Sequence, residues 1–222
     1  MTQIIDDLGS AVARGTALRL APRKVPRQKR ACLTVEAILD ACAQLLAVTP
    51  YAGLTTNHVS ERAGVSIGTL YEYFPSRESI VAALAARSYR VLADRGAAAA
   101  AEAQACDHVL AAERLFGACV EVFADPRNAF RPLMLQASFV QALPEAREAL
   151  ERLEALVRTI ILPPGPKADG WLMVQMLRRA MIDIAFRGAD AADRARLVRE
   201  LAQLSVRMGR GQDPGVCDYA LA

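Results

Sequence analysis

The feature that most constrains this chain is a pair of short helical patterns joined by a glycine turn. The first pattern starts after Thr55, a good N-cap residue, and ends at Gly64, which can adopt the left-handed conformation without a Cβ penalty. The second starts after Ser66, another N-cap residue, and is stopped by Pro75. This spacing is typical of a helix-turn-helix, although a plain helical hairpin with a glycine turn would show the same pattern.

Helical periodicity continues on both sides of this motif. Apolar residues at steps of three and four predict a first helix that is capped by Thr34 and ends before Pro50. Ser76 is predicted to cap a fourth helix that runs to about Arg95, and Gly96 with the alanine run 97–101 forms either a junction or a continuation of this helix. Further helical patterns occupy about 107–124, 128–142, 145–162, 168–187 and 191–209. Because alanine and leucine dominate and aromatics are only 5% of the chain, we predict an all-α fold of about nine helices.

Positive charge is concentrated near the N-terminus. Seven cations and no acid lie between residues 14 and 30, at Arg14, Arg19, Arg23, Lys24, Arg27, Lys29 and Arg30. The rest of the chain has a net charge of −4, whereas the whole chain has +3. Such asymmetry is expected of a segment that meets nucleic acid or another anionic surface, and a solvated leader is the alternative. We therefore predict that residues 1–31 form a basic, flexible N-terminal arm.

The sequence offers little that suggests catalysis or metal binding. The five cysteines, Cys32, Cys42, Cys106, Cys119 and Cys217, are widely spaced, and there are only two histidines. Neither a disulfide framework nor a zinc site is predicted, and Cys42 and Cys119 are expected to be small core residues. No nucleophile–base set or glycine-rich phosphate loop is present, so we expect neither an enzyme nor a cofactor.

No uninterrupted apolar run reaches the roughly 20 residues that span a bilayer. The first residues, which include Asp6 and Asp7, lack the layout of a secretory signal. The expectation is a cytoplasmic protein without a membrane partner.

The motif and its neighbours resemble the TetR family of bacterial transcription regulators. The resemblance begins in the helical pattern of Ile38–Leu46 and passes through Thr55 and the Ala63-Gly64-Val65-Ser66 turn. It ends in the stretch Gly68-Thr69-Leu70-Tyr71-Glu72-Tyr73-Phe74-Pro75-Ser76-Arg77-Glu78. It implies a homodimeric repressor that binds a palindromic DNA operator and releases it when a small molecule binds. A transcriptional activator, or a helical interaction module without effector binding, is the alternative.

The resemblance also implies how the domains divide. Residues 32–78 would form the helix-turn-helix DNA-binding domain, with three helices. Residues 79–210 would form a helical effector-binding and dimerisation domain, and residues 211–222 a C-terminal tail.

Individual DNA-binding roles follow from the resemblance. The hydroxyl of Thr55 would contact a phosphate, while the base-reading positions would be Ser66, Ile67, Gly68 and Thr69. Ile67 could pack on a thymine methyl or lie in the core. The hydroxyls of Tyr71 and Tyr73 would bind phosphate, with core packing as the alternative for Tyr73.

Cations complete the predicted contact with DNA. Arg77 matches a position where the family has a lysine that grips phosphate, and a cation in the first turn of a helix opposes the helix dipole, which also suggests an external anion. In the basic arm, Arg27, Lys29 and Arg30 would reach the DNA backbone or minor groove, or would remain mobile and supply only non-specific attraction.

The C-terminal half is predicted less specifically. The last two helices carry broad apolar faces, which the resemblance assigns to a four-helix bundle with a second copy; a monomeric core is the alternative. Candidate residues for an effector pocket are Phe116, Cys119, Phe123, Met134, Gln136, Phe139, Met173 and Met176. Methionines and aromatics at helical spacing are, however, more often ordinary core residues.

Overall fold

The computed structural model describes residues 20, 22–24, 28–162, 171–187 and 190–209. Over these ranges the chain forms nine α-helices and three short 3₁₀ helices, and no strand. The α-helices are α1 (Lys29–Val48), α2 (Thr56–Ala63), α3 (Ile67–Tyr73), α4 (Arg77–Glu102), α5 (His108–Ala124), α6 (Phe130–Gln136), α7 (Pro144–Ile161), α8 (Trp171–Phe186) and α9 (Ala191–Gly209). The 3₁₀ helices are Tyr51–Gly53, Pro126–Asn128 and Ser138–Ala142. The predicted all-α fold is confirmed.

The helix-turn-helix forms as its capping residues predict. The Thr55 hydroxyl accepts a hydrogen bond from the backbone N–H of His58 at 3.2 Å, and the Ser66 hydroxyl accepts one from Thr69 at 3.0 Å. Gly64 ends α2 with φ of 67°, the left-handed conformation that its lack of a Cβ allows. The predicted cap of α4 is also present, because the Ser79 N–H donates to the Ser76 hydroxyl at 3.2 Å.

Two predicted helix boundaries are wrong, and a third that was left open is decided by the structure. Helix α1 starts at Lys29, so Thr34 lies inside it and its hydroxyl donates to the carbonyl of Arg30 at 3.0 Å. Helix α4 continues past Arg95 to Glu102, which is the second of the two alternatives, because the alanine run that follows Gly96 has the highest helix propensity. The helix predicted at 128–142 is divided into α6 and the 3₁₀ helix Ser138–Ala142.

The chain divides into two compact units, and the division differs from the predicted domain boundary at residue 78. The first unit contains the described residues up to Arg87 together with Pro126–Leu143. The second contains Ser88–Asp125 and the described residues from Pro144 onward. A segment that the sequence analysis assigned to the C-terminal domain therefore packs with the helix-turn-helix.

In the first unit, α1 packs against α2, and α2 packs against α3. Fully buried side chains from successive elements form this core: Ile38, Leu54, Val59, Leu70, Phe74 and Ile80. The inserted segment is attached by Arg87, whose guanidinium donates to Glu36 and Asp40, both at 2.8 Å, and to the carbonyl of Arg127 at 3.1 Å. Arg87 thus joins α1, α4 and the 3₁₀ helix Pro126–Asn128.

In the second unit, α5 packs against α7, α8 and α9. Its buried face includes Leu115, Phe116, Cys119 and Phe123. Cys42 in the first unit and Cys119 here are both buried as predicted, and burial raises the pKa of each thiol to about 12. Both thiols are therefore protonated at neutral pH and act as apolar core groups.

Two glycines of the second unit should respond oppositely to alanine. A Cβ on Gly96 would overlap Cδ2 of the buried Leu153, so we expect Gly96→Ala to destabilise the protein by about 1–2 kcal/mol. A Cβ on Gly117 would lie 3.9 Å from Val198, in ordinary contact, and Gly117→Ala should stabilise α5 by up to about 1 kcal/mol. Thermal unfolding followed by circular dichroism measures both; equal effects would contradict the close packing at Gly96.

Helix α1 is the one described helix that is long and apolar enough, by length and composition alone, to cross a membrane. This differs from the sequence expectation that no segment is long enough. The helix nevertheless contains Glu36 and Asp40, which pair with Arg87, and six of its residues are buried in the first unit. The core helix of a packed domain has the same properties, so the observation is weak evidence for a membrane span.

Candidate nucleic-acid interface

The N-terminal turn of α3 presents small and apolar groups on a firmly capped backbone. The Ser66 and Thr69 hydroxyl oxygens lie 2.8 Å apart, and the Thr69 N–H donates to Ser66. Ile67 is 39% exposed, so it does not lie in the core. Gly68 is exposed, and the nearest atom to an added Cβ would be the Ser66 hydroxyl at 3.8 Å. The four predicted base-reading residues therefore lie together on an open surface.

A group of hydroxyls lies beside this turn. The Tyr71 hydroxyl is 3.0 Å from the Thr56 hydroxyl, at the start of α2, and Thr55 caps the same helix. Tyr71 is 39% exposed. Hydroxyl donors at a helix N-terminus are well placed to bind a phosphate oxygen. The sequence analysis missed Thr56, although its position directly after the cap residue could have suggested it.

Tyr73 differs from Tyr71. Its ring is only 7% exposed and packs in the core, as the alternative interpretation predicted. Its backbone carbonyl accepts a hydrogen bond from the N–H of Arg23 at 2.8 Å. Leu70 and Phe74 are fully buried. The ring of Tyr73 therefore helps to fix the end of α3, and a phosphate contact by its hydroxyl stays a prediction.

Arg77 has partners within the protein, so its position at the start of a helix does not by itself indicate an external anion, and its phosphate contact stays a prediction. Its guanidinium donates to the carbonyl of Leu54 at 3.1 Å and to the carboxylate of Glu78 at 3.1 Å. It also lies 4.6 Å from the centre of the Tyr51 ring, in a cation–π contact. Arg77 thus holds the loop between α1 and α2 against the start of α4, and its side chain is 31% exposed.

The surroundings of Arg77 shift the pKa values of two neighbouring groups, Glu78 and Tyr51. Burial opposes ionisation of Glu78, but hydrogen bonds from its own N–H, Arg77 and Ser76, together with the charge of Arg77, outweigh it. The pKa of the Glu78 carboxyl is therefore below its usual value. Burial, followed by the charge of Glu78, raises the pKa of Tyr51. Tyr51 remains neutral, and its hydroxyl donates to Glu78 at 3.3 Å.

The basic arm is described only in part, and Arg27 lies outside the described residues. Lys29 and Arg30 are exposed. They were predicted to belong to the flexible arm, but they lie in the first turn of helix α1. Arg23 was not singled out from the sequence. Besides its backbone bond to Tyr73, its guanidinium donates to the carbonyl of Tyr71 at 3.4 Å. Basic groups thus lie at the end of α3 and the start of α1.

The eight predicted effector residues are divided between the two units. Phe116, Cys119 and Phe123 are buried on α5, and Met173 and Met176 lie on α8, half-buried and exposed. Met134, Gln136 and Phe139 belong to the first unit. There the Gln136 side chain accepts a hydrogen bond from the Tyr51 N–H at 2.6 Å, and the Phe139 ring lies 6.2 Å from that of Tyr51. Of the eight, Cys119 and Phe123 line a cavity in the second unit.

The described portion of the chain contains no cluster of three or more His, Cys, Asp or Glu side chains that could hold a metal ion.

Comparison with known proteins identifies relatives of both the motif and the fold. Residues 38–84 match the family model described as "Bacterial regulatory proteins, tetR family". The transcriptional repressor KstR of Rhodococcus jostii is 39% identical over 59 residues, which are 27% of this chain and 28% of that protein. The match thus spans less than a third of that relative.

Solved structures share the fold over most of the chain. PfmR of Thermus thermophilus aligns with a TM-score of 0.60 and 18% identity, covering 82% of this chain and 97% of that one. The fatty acid degradation regulator FadR of Bacillus halodurans gives 0.64 and 17%, with the same coverage. LfrR of Mycobacterium smegmatis, solved with proflavine, gives 0.58 and 18%, covering 77% and 94%. The helix-turn-helix segment of this chain is therefore similar to the TetR family of bacterial regulatory proteins, and its fold is shared with solved regulators described as TetR-family or TetR-like.

Proposed function

We propose that the protein is a homodimeric repressor that reads a palindromic operator through α3 and releases it when a small molecule binds the second unit. The observation that carries the proposal is the exposed first turn of α3, where Ile67 and Gly68 stand on a backbone capped by Ser66. The N-terminal residues of such a helix are those that meet base edges in the major groove.

Sequence readout in this proposal combines apolar and polar contacts. The exposed Ile67 can pack on a thymine methyl, and Gly68 allows the backbone to approach the base pairs closely. The hydroxyls of Ser66 and Thr69 bond each other, and whichever of the two is the donor, Thr69 keeps at least one lone pair for a base donor. These residues would set the preferred sequence.

Phosphate contacts in this proposal come from the hydroxyls around the start of α2 and from exposed cations. Thr55, Thr56 and Tyr71 would bind one backbone phosphate, and Lys29 and Arg30 would neutralise others. Each neutralised phosphate should add about 0.9 to the slope of log affinity against log salt concentration. These contacts would give affinity and orientation without choosing the sequence.

Dimerisation is supported by exposed apolar side chains on the last two helices. Trp171, Leu172 and Met176 on α8 are each more than half exposed, and Leu204 and Met208 on α9 are nearly so. Several large apolar side chains exposed on two neighbouring helices are characteristic of an interface. A twofold dimer would also place two copies of α3 on half-sites about one DNA turn apart.

Relatives support repression and effector binding. KstR is a transcriptional repressor, and LfrR binds proflavine. We propose that the first unit, which contains the predicted DNA-binding domain of residues 32–78, contacts the operator. The part of the predicted effector domain that lies in the second unit would bind the ligand. We also propose that the protein is cytoplasmic, because it would act on the bacterial chromosome.

Selection from a random duplex library with the purified chain at about physiological salt tests the proposal. We expect enrichment of an inverted repeat with half-sites about 10 base pairs apart, centre to centre. Sedimentation of the free protein should give a particle of two chains. Salt-labile binding without an enriched sequence, or a monomer, would contradict the proposal.

A further inference from the structure

The second unit contains a small cavity between α5, α7 and α8. Its volume is about 50 Å³. Most of its wall is apolar and comes from Cys119, Phe123, Leu153, Val157, Val174 and Met181. Three polar side chains also line the cavity, namely Glu154, Gln175 and Arg178. An apolar cavity with a few convergent polar groups is the usual form of a small-molecule site.

Arg178 differs from two nearby arginines, which are paired with carboxylates. Arg158 pairs with Glu154 at 2.9 Å, and Arg179 pairs with Asp183 at 3.0 Å. Arg178 is half-buried, and among the described residues it forms neither a hydrogen bond nor an ion pair. A half-buried cation loses hydration without gaining a counter-charge, so an anion at this place would be bound favourably.

The other charges facing the cavity allow an anion to bind. Glu154 would repel it, but the carboxylate of Glu154 is occupied by two hydrogen bonds from Arg158, at 2.9 and 3.1 Å. The Cys119 thiol in the cavity wall is protonated, because burial raises its pKa to about 12, and Tyr89 on α4 is a further titratable group near Arg178. Burial raises the pKa of Tyr89, and the charge of Arg178 lowers it. Tyr89 therefore stays neutral, and Arg178 provides the positive charge of the site.

We infer that the effector is an apolar molecule with one anionic head, a carboxylate or a phosphate, and that Arg178 binds this head. This inference rests on the proposed effector function of the second unit. The apolar body lies against Cys119, Phe123 and Met181, and Gln175 donates a further hydrogen bond to the head. The preference for an anion over a neutral molecule comes from Arg178 alone.

The cavity is too small for a typical ligand, so binding requires a change of conformation that can regulate the protein. Ligand sites usually measure roughly 300–1,000 Å³, so a molecule with a hydrocarbon body must push α7 and α8 apart to enter. A ligand that binds only a widened form shifts the population towards that form. The residues that bind the molecule therefore also move when it enters, and this movement couples ligand binding to a change of conformation.

Binding of four eight-carbon probes to the full chain at pH 7.5, measured by isothermal titration calorimetry, tests the inference. The probes are octanoate, octyl phosphate, 1-octanol and octylammonium. We expect octanoate or octyl phosphate to bind at least tenfold more tightly than 1-octanol and octylammonium not to bind. The stronger of the two anions identifies the head. Equal binding of octanoate, octyl phosphate and 1-octanol, or no saturable binding of any probe, would overturn the inference.

Arg178→Gln and Arg179→Gln form a matched pair of variants. Each removes one positive charge from neighbouring positions on α8, but only Arg178 lines the cavity. We expect Arg178→Gln to reduce the preference for the anion to less than twofold and Arg179→Gln to preserve it. Equal losses in both variants would show a general charge effect and overturn the assignment. Because no DNA is present, failure here is distinct from failure of operator binding, which the library selection measures.

Discussion

Replacing Gly68 with glutamate should weaken operator binding by about 100-fold or more and leave the free protein folded. Gly68 lies in the first turn of α3, is exposed, and has open space where a side chain would project. In the proposed complex this space is filled by base pairs, so a carboxylate would be brought close to DNA. Placing like charges together costs several kcal/mol at an interface, and about 2.7 kcal/mol corresponds to 100-fold in affinity.

Two comparison variants make this result interpretable. Gly68→Ala adds only a methyl group 3.8 Å from the Ser66 hydroxyl, so it should stabilise the free protein by up to about 1 kcal/mol. Its operator affinity should nevertheless fall, because the methyl group keeps the backbone from the bases. Gln104→Glu adds the same negative charge on the exposed surface of the second unit and should bind normally. Fluorescence anisotropy with the selected operator measures all three, and wild-type binding by Gly68→Glu would remove α3 from the interface.

The features that were predicted correctly from the sequence are formed by residues that lie within a few positions of one another in the chain. Thr55 and Ser66 cap helices whose N–H groups lie three residues away, and Gly64 makes a turn that its own missing side chain permits. Such local chemistry can be read without knowing the fold. The same reasoning failed at Thr34, because a capping residue is equally able to bond a carbonyl four residues earlier inside a helix.

The parts that the sequence did not predict depend on distant partners. Arg77 bonds the carbonyl of Leu54, 23 residues away, and Arg87 bonds Glu36 and Arg127, 51 and 40 residues away. The periodicity of the sequence does not reveal such pairs, so the family resemblance and the helix dipole suggested a partner for Arg77 outside the protein. For the same reason the segment Pro126–Leu143 was assigned to the C-terminal domain, although its contacts place it in the first unit. As a consequence, the eight residues predicted to line one effector pocket lie in two different units.

Replacing Arg77 with alanine should destabilise the protein by about 2 kcal/mol. The change removes hydrogen bonds to the carbonyl of Leu54 and to Glu78, and the cation–π contact with Tyr51. Charged hydrogen bonds contribute about 1.5–3 kcal/mol and cation–π contacts about 0.5–1, and the exposure of nearly a third of the side chain reduces these values. Urea unfolding followed by circular dichroism gives the difference in unfolding free energy.

The salt dependence of DNA binding separates this structural role from the phosphate contact that the sequence suggested. If Arg77 acts within the protein, Arg77→Ala should keep the wild-type salt slope when measured at a temperature where it is folded. Arg30→Ala is the matched control, since Arg30 is an exposed arginine in the first turn of α1. That variant should lower the slope by about 0.9 and leave stability unchanged. A reduced slope with unchanged stability in Arg77→Ala would restore the phosphate role.

The destabilisation by Arg77→Ala should also depend on pH through Glu78. The pKa of Glu78 in the folded protein is below the ordinary value of 4.5, so its ionised form stabilises the fold above that pH. This contribution is lost as the pH falls through the folded pKa, because the carboxylate becomes protonated in the folded protein as well. Without Arg77 much of the shift disappears, so the two proteins should differ more at pH 7 than at pH 3. Unfolding curves at both values measure this, and a difference that is independent of pH would mean that Arg77 stabilises the loop through Leu54 and Tyr51 alone.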